Sequence, residues 1–161
     1  VAEQDGNGWV TCRCGERHWG LHGAAGLVLL DGVSVDAGTQ RLLLQLRAEW
    51  VHQGGTWGLP GGARDSHEDA VAAALREAAE EAGTSAQRLT VLAEHLGVDH
   101  VDWSYTYVLA VAGPGLQVRV STAESVDLRW VDLDEVASMS LHPALAAAWP
   151  ELRSAVRSLL G

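Results

Sequence analysis

GARDSHEDAVAAALREAAEEAGT, residues 62–84, sets a helix between a glycine-ended loop and a glycine stop. Ala70, Ala73, Ala74, Leu75 and Ala78 are strong helix formers, and Gly83 is a natural terminator. Ser66 and Asp69 stand at capping-box spacing, with Asp in place of the usual Glu or Gln. His67, Glu68 and Asp69 put mostly acidic residues in the expected first turn, where the helix dipole favours them. Glu77, Glu80 and Glu81 follow at i, i+3 and i+4 and so project from one face. Bare like charges at that spacing repel, and a cation between them removes the cost. Hard divalent ions take oxygen ligands, and magnesium shares a few carboxylates with substrate phosphates. A solvated acidic face has the same spacing, so the pattern alone leaves both readings open. Around it, Gly61–Gly62 permits close backbone approach. Glu68 and Arg76, eight residues apart, fall about 80° from each other around a helix axis, which suits a supporting contact.

Outward from this helix the chain alternates strands and loops. Ala24–Leu30 is a continuous small-apolar run that predicts a buried strand, followed by a turn or hairpin loop over Asp31–Gly38. Arg41–Arg47 predicts a second strand, 50–55 a loop, and 56–59 a short strand ended by Pro60-Gly61-Gly62. Downstream, Leu89–Val98 and Trp103–Ala112 face each other across a turn at Asp99–Asp102. Residues 117–120 and 128–131 read as further strands, and 133–139 as a short helix. The last helix starts near Pro143 and is expected to kink or restart at Pro150 before Glu151–Leu160. Residues 1–22 are polar, with little periodicity, and read as an N-terminal extension.

At 161 residues the chain fits one domain with a sizeable core. Eleven basic against 21 acidic side chains give a formal charge of −10, which disfavours a nucleic-acid polymer as partner. A small anionic ligand is compatible with that charge when a metal cation bridges the two. No apolar run spans a bilayer and no leader precedes the first strand, so a soluble cytoplasmic protein is expected. The chain begins at Val1 rather than Met, which suggests a trimmed start. Cys12 and Cys14 are too close for an unstrained disulfide.

Residues 62–84 resemble the Nudix box, G-x5-E-x7-R-E-U-x-E-E-x-G-U with U aliphatic. Gly62, Glu68, Arg76, Glu77, Glu80, Glu81 and Gly83 fill its fixed positions. Ala78 and Thr84 depart from it, standing where larger aliphatic residues would pack the helix against the sheet. Trp57-Gly58-Leu59-Pro60-Gly61-Gly62 is similar to the family's lead-in, Leu42–Leu44 with Arg47 to its preceding strand, and 129–135 to its late strand and short helix. The resemblance to MutT-like Nudix hydrolases implies an α/β fold, a mixed sheet sandwiched between helices (α/β/α), over residues 23–161 after the extension 1–22. It implies magnesium-dependent hydrolysis, with manganese as a substitute, of a diphosphate linkage in a small nucleoside-diphosphate derivative. Water attacks phosphorus in that chemistry. Glu77, Glu80 and Glu81 match the family's metal ligands, with Glu68 and Arg76 as the shell that orients them. Glu124, six residues before Trp130, is placed like a late-loop acid that family members bring to the metal, as fourth ligand or base. A homodimer is common in the family.

Arg47 is a candidate phosphate ligand, Trp50 and His52 could stack on a base or sugar, and Gly61 and Gly62 offer close backbone approach. Trp9, Trp57 and Trp130 are expected in the core. Trp103, Tyr105 and Tyr107 share one strand face, which is expected to lie toward the core as well. His142 reads as a helix cap or an exposed residue. Cys12, Cys14, His18 and His22 form C-x-C-x3-H-x3-H, a pattern with a zinc reading and a reading as ordinary thiols and surface histidines. Two other functions share the resemblance. An isopentenyl-diphosphate-isomerase-like enzyme needs an active-site cysteine, and a non-catalytic nucleotide-sensing module would have lost box carboxylates.

Overall fold

The computed structural model describes residues 4–32 and 40–160. The turn read over Asp31–Gly38 falls mainly outside that set. The chain opens on a short hairpin, β1 (Trp9–Thr11) and β2 (Arg17–Trp19), paired antiparallel with Trp9 opposite Trp19. The extension therefore contains regular structure that its weak periodicity hid. Three-residue strands are too short to print an alternation.

β3 (Ala24–Leu30) is buried along its whole length, as a continuous apolar run demands of a central strand. β4 (Arg41–Arg47), β5 (Trp57–Gly58) and β6 (Gly61–Ala63) follow, then α1 (Ala70–Ala82). β7 (Leu89–His100) and β8 (Trp103–Ala112) form a long antiparallel pair, and β9 (Ser125–Asp132) leads to α2 (Pro143–Leu160). β3 runs parallel to β8 and antiparallel to β4 and β6, so the seven-stranded sheet is mixed. β5 and β9 both pair with β4.

Alternation along β3 divides the core in two. Ala25, Leu27 and Leu29 meet the alanine face of α1, while Val28 and Leu30 meet Leu145, Trp149, Leu152 and Val156 of α2. The layers are helix, sheet, helix, as the sequence implied. No helix among the described residues is long and apolar enough to cross a membrane.

Several boundaries differ from expectation for identifiable reasons. Asp69, not Ser66, caps α1: its side chain accepts from the Ala72 amide at 2.7 Å. Ser66 is bonded to Asp5 instead, and Glu68 lies before the helix rather than in its first turn. Residues 117–120 form no strand. The Arg119 and Ser121 amides instead bond the Ala82 and Glu81 carbonyls, satisfying the last turn of α1. The expected helix over 133–139 is a single 3-10 turn, Val136–Ser138. Pro150 neither breaks nor restarts α2, which runs through it. The expected strand over 56–59 is β5 alone, and a further strand, β6, forms where Pro60-Gly61-Gly62 was expected only to end it.

Ala78 and Thr84, the departures from the box, are both buried. Ala73, Ala74, Ala78 and Ala82 have no exposed surface, so the centre of the helix packs on the sheet through methyl groups, with Val71 and Leu75 at its flank. Small residues have replaced large ones here without opening the contact.

Candidate active site

Arg76, in the middle of α1, organises the carboxylates around it. Its Nε and Nη2 donate to Glu68 at 2.7 and 2.9 Å, a bidentate pair, and Nη2 also donates to the Ala63 carbonyl at 2.9 Å. Nη1 donates to Glu77 at 2.9 Å and lies 3.5 Å from both Glu80 oxygens. Glu68 further accepts the Asp65 amide at 2.9 Å. These bonds clamp the loop ahead of α1 onto its side. The Arg76 hydrogen bonds hold the Glu68 carboxyl below its ordinary range although burial opposes them.

Glu81 sits in a different environment. Its Oε2 accepts the Gly61 amide at 2.8 Å, and the Gln45 side chain bonds it as well. Burial pushes its carboxyl up to about 8, and the negative charges of Glu77 and Glu124 add to the shift. Glu77 is also raised, chiefly by burial, with Arg76 opposing. Gly62 is required beside it: a Cβ there would lie 2.6 Å from the Glu77 carboxylate carbon. Glu80 is half-exposed and turned toward Arg76.

Whether a divalent cation fits can be judged from these groups. The donors are all carboxylate oxygens, the set that magnesium or manganese takes. Glu77 and Glu81 are partly buried and mutually repelling, so a cation's charge would stabilise both. The oxygens of Glu77, Glu80 and Glu81 do not lie together in one tight trio, because Arg76 draws Glu77 and Glu80 toward itself. Glu124, in the turn before β9, is near enough for its charge to act on Glu81, and its carbonyl accepts the Ala48 amide at 2.8 Å.

A cleft of about 700 Å³ opens beside these residues, and Gly61, Gly62, Arg47 and His52 line it. Arg47 donates to the His52 carbonyl at 3.0 Å, which fixes both at the rim. Trp50 is exposed and is not part of the lining. His142 lines the cleft and caps α2, its Nδ1 accepting the Ala144 amide at 3.1 Å. Burial lowers its pKa, and Arg47 and His52 lower it further.

Trp57 and Tyr107 lie in the core as expected, whereas Trp9 and Trp103 do not. Trp103, Tyr105 and Tyr107 line the cleft, the first two half-buried and Tyr107 buried. Trp9 is half-exposed and lines the cleft with Trp19, while Trp57 is buried beneath the Arg129 guanidinium. The reason is the hairpin. It folds across the open end of β7 and β8, where Trp103 Nε1 donates to the Trp19 carbonyl at 3.0 Å.

Two contributors escaped the sequence reading. Gln45 is a buried polar residue inside the apolar run of β4, and that incongruity was its available signal. Tyr105 is half-buried near Glu81 and Glu77, and desolvation together with those charges raises its phenol pKa. Of the cysteine and histidine pattern, Cys12, Cys14 and His18 come together, while His22 stays outside that group.

Comparison with known proteins follows the same lines. The family profile described as the NUDIX domain matches residues 21–155. A Mycobacterium tuberculosis protein, described as a candidate 8-oxo-dGTP diphosphatase, is 54% identical over 156 residues, covering 94% of this chain and 70% of its own length. A Bifidobacterium longum protein, described as a fusion of a nucleoside triphosphate pyrophosphatase and a Nudix hydrolase, is 37% identical, over 97% of this chain and 33% of the fusion. Among solved structures, RenU, a Nudix hydrolase from M. smegmatis, superposes with a TM-score of 0.87 at 46% identity, covering 96% of this chain and 97% of that one.

Proposed function

The chain belongs to the NUDIX family of hydrolases acting on phosphoanhydride bonds, and we propose that its substrate is a small nucleoside di- or triphosphate derivative. The observation that carries this reading is the pair of glycines that join cleft to carboxylates. Gly61 and Gly62 line the aromatic cleft and at the same time contact Glu81 and Glu77. A nucleotide seated in the cleft would thus bring its diphosphate to the acidic face.

Glu77, Glu80, Glu81 and Glu124 would hold magnesium, or manganese in its place. The ion would neutralise phosphate oxygens and activate water for attack at phosphorus. Glu68 and Arg76 orient Glu77, and Gly61 with Gln45 orients Glu81. Glu124 either completes the ligand set or takes the proton from water. Arg47 is positioned at the rim for a phosphate, and the Trp103–Tyr105–Tyr107 face for a base. Residues 23–161 form the hydrolase domain in this reading, and the β1–β2 hairpin of the extension 1–22 is an accessory wall of the cleft.

The description of the Mycobacterium tuberculosis relative makes an oxidised purine deoxynucleoside triphosphate the first compound to try. The test is a panel of 8-oxo-dGTP, dGTP, a dinucleoside polyphosphate and a nucleotide sugar, with magnesium, in 18O-labelled water. Two phosphorylated products, one carrying the label, are expected from at least one compound. Tight binding with no product from any would favour a sensing module. An isomerase is disfavoured by position, because neither Cys12 nor Cys14 lines the cleft.

A further inference from the structure

The β1–β2 hairpin carries a cluster that the hydrolytic chemistry does not use. We propose that Cys12, Cys14 and His18 form a second metal site, for a thiophilic divalent cation of the zinc class, that locks the hairpin tip.

The local backbone builds the site. The Gly15 amide bonds the Cys12 carbonyl and the Cys12 amide bonds the Glu16 carbonyl, both at 3.0 Å, making a tight turn. This turn brings the Cys14 sulfur to 3.2 Å from His18 Nε2, and the three donor atoms lie within 4.8 Å of one another. Donors on a tetrahedral zinc, with bonds of about 2.3 Å to sulfur and 2.0 Å to nitrogen, stand roughly 3.5 Å apart. The spacing therefore needs little adjustment. The Cys14 amide donates to the Cys12 sulfur at 3.4 Å, a bond that favours a thiolate there. His18 stacks on Trp103 and on His100, with centroids 4.5 and 4.7 Å away, which fixes its ring plane. Arg13, between the cysteines, grips Asp102 through its own amide at 2.8 Å and its guanidinium at 2.9 Å. The turn is thereby held against the β7–β8 connection before any ion arrives.

The donor set separates this site from the box. Two sulfurs and one imidazole select a soft or borderline ion, whereas the glutamates offer only hard oxygen. Cys14 is exposed, which gives an ion a route in and leaves the fourth position to solvent. Binding forms two metal–sulfur bonds and releases two thiol protons to solvent, with no change of oxidation state. His18 lines the cleft, so the ion would also steady the wall that carries Trp9 and Trp19.

The experiment is a cobalt titration of the full chain, reduced and stripped of metal. A thiolate-to-cobalt charge-transfer band with tetrahedral d–d absorption is expected. Stoichiometric zinc should displace it and excess magnesium should not. Cys14→Ser should lose the band, and His22→Ala and Glu81→Gln should keep it. Should Cys14→Ser misfold by circular dichroism, the reaction of wild-type thiols with a disulfide reagent decides: zinc must protect both. Absence of the band, its retention in folded Cys14→Ser, its loss in Glu81→Gln, or unprotected thiols would each overturn the assignment.

Discussion

Arg76 binds Glu68, Glu77 and Glu80 and lies 3.8 Å from Asp65, so one guanidinium serves four carboxylates. It does not reach Glu81, whose hydrogen-bond donors among the described residues are the Gly61 amide and the Gln45 side chain. That leaves Glu81 as the residue most dependent on added positive charge. Glu81→Gln keeps the shape and the Gly61 bond, so it should fold normally while losing about a hundredfold or more in magnesium-dependent turnover. Near-wild-type kcat at saturating magnesium would remove Glu81 from the metal site. The same residue fixes a pH dependence. Its folded carboxyl titrates near 8 against an ordinary 4.5, so between these values the folded state holds the extra proton. Stability of the metal-free protein should therefore fall as pH rises from 4.5 to 8 and level off above. Magnesium binds the ionised form, so its stabilising effect should grow over that window. Thermal unfolding with and without magnesium across pH 5–8.5, at matched ionic strength, measures both trends. A rise in metal-free Tm over that range would contradict them.

At the scale of the element, α1 is held by three devices: the Asp69 cap, the alanine face, and a C-terminus closed by Gly83 and the 119–121 segment. Gly83 adopts φ 67°, where its amide bonds the Ala79 carbonyl. Thr84 follows it into the core, yet its hydroxyl has no hydrogen-bond partner among the described residues. Val has nearly the same shape without that oxygen. Thr84→Val should raise stability by about 1 kcal/mol, read as a higher urea midpoint at unchanged m-value. An unaltered or lower midpoint would mean the hydroxyl is satisfied in solution. Much of this element was readable in advance, because alanine content, the glycine stop and the i, i+3, i+4 acids are local features. Its start was not. Ser66 and Asp69 are both good caps, and only the contact of Ser66 with Asp5, 61 residues earlier, selects between them.

Across the whole molecule, the cleft is assembled from parts distant in the chain. Arg47 and His52 come from the end of β4 and its loop, Trp103 and Tyr105 from β8, and Trp9, His18 and Trp19 from the hairpin. Trp103 joins three of these: it stacks on His18, bonds the Trp19 carbonyl and packs near Tyr105. Trp103→Ala should raise KM about tenfold with a smaller change in kcat, since base stacking contributes roughly 1–3 kcal/mol to binding while the carboxylates are untouched. A fall in kcat with KM unchanged would place Trp103 in the chemistry instead. The sequence by itself determined the helix that carries the acids, most strands of the central sheet and the spacing of the glutamates proposed to hold metal. Each of these depends on residues within a few turns of one another, where side-chain type and period are enough. Only the tertiary structure decided that Trp9 and Trp103 face a cleft rather than a core, and that Gln45 reaches Glu81. It also decided that Cys12, Cys14 and His18 meet without His22. The aromatic placement depends on how the hairpin lies across β8, through bonds such as Trp103 to Trp19 that span 84 residues, and the Gln45 contact on how α1 packs over β4. No local period records contacts at that distance. The acidic helix is legible in its own letters; the pocket it serves exists only once the ends of the chain have been brought to it.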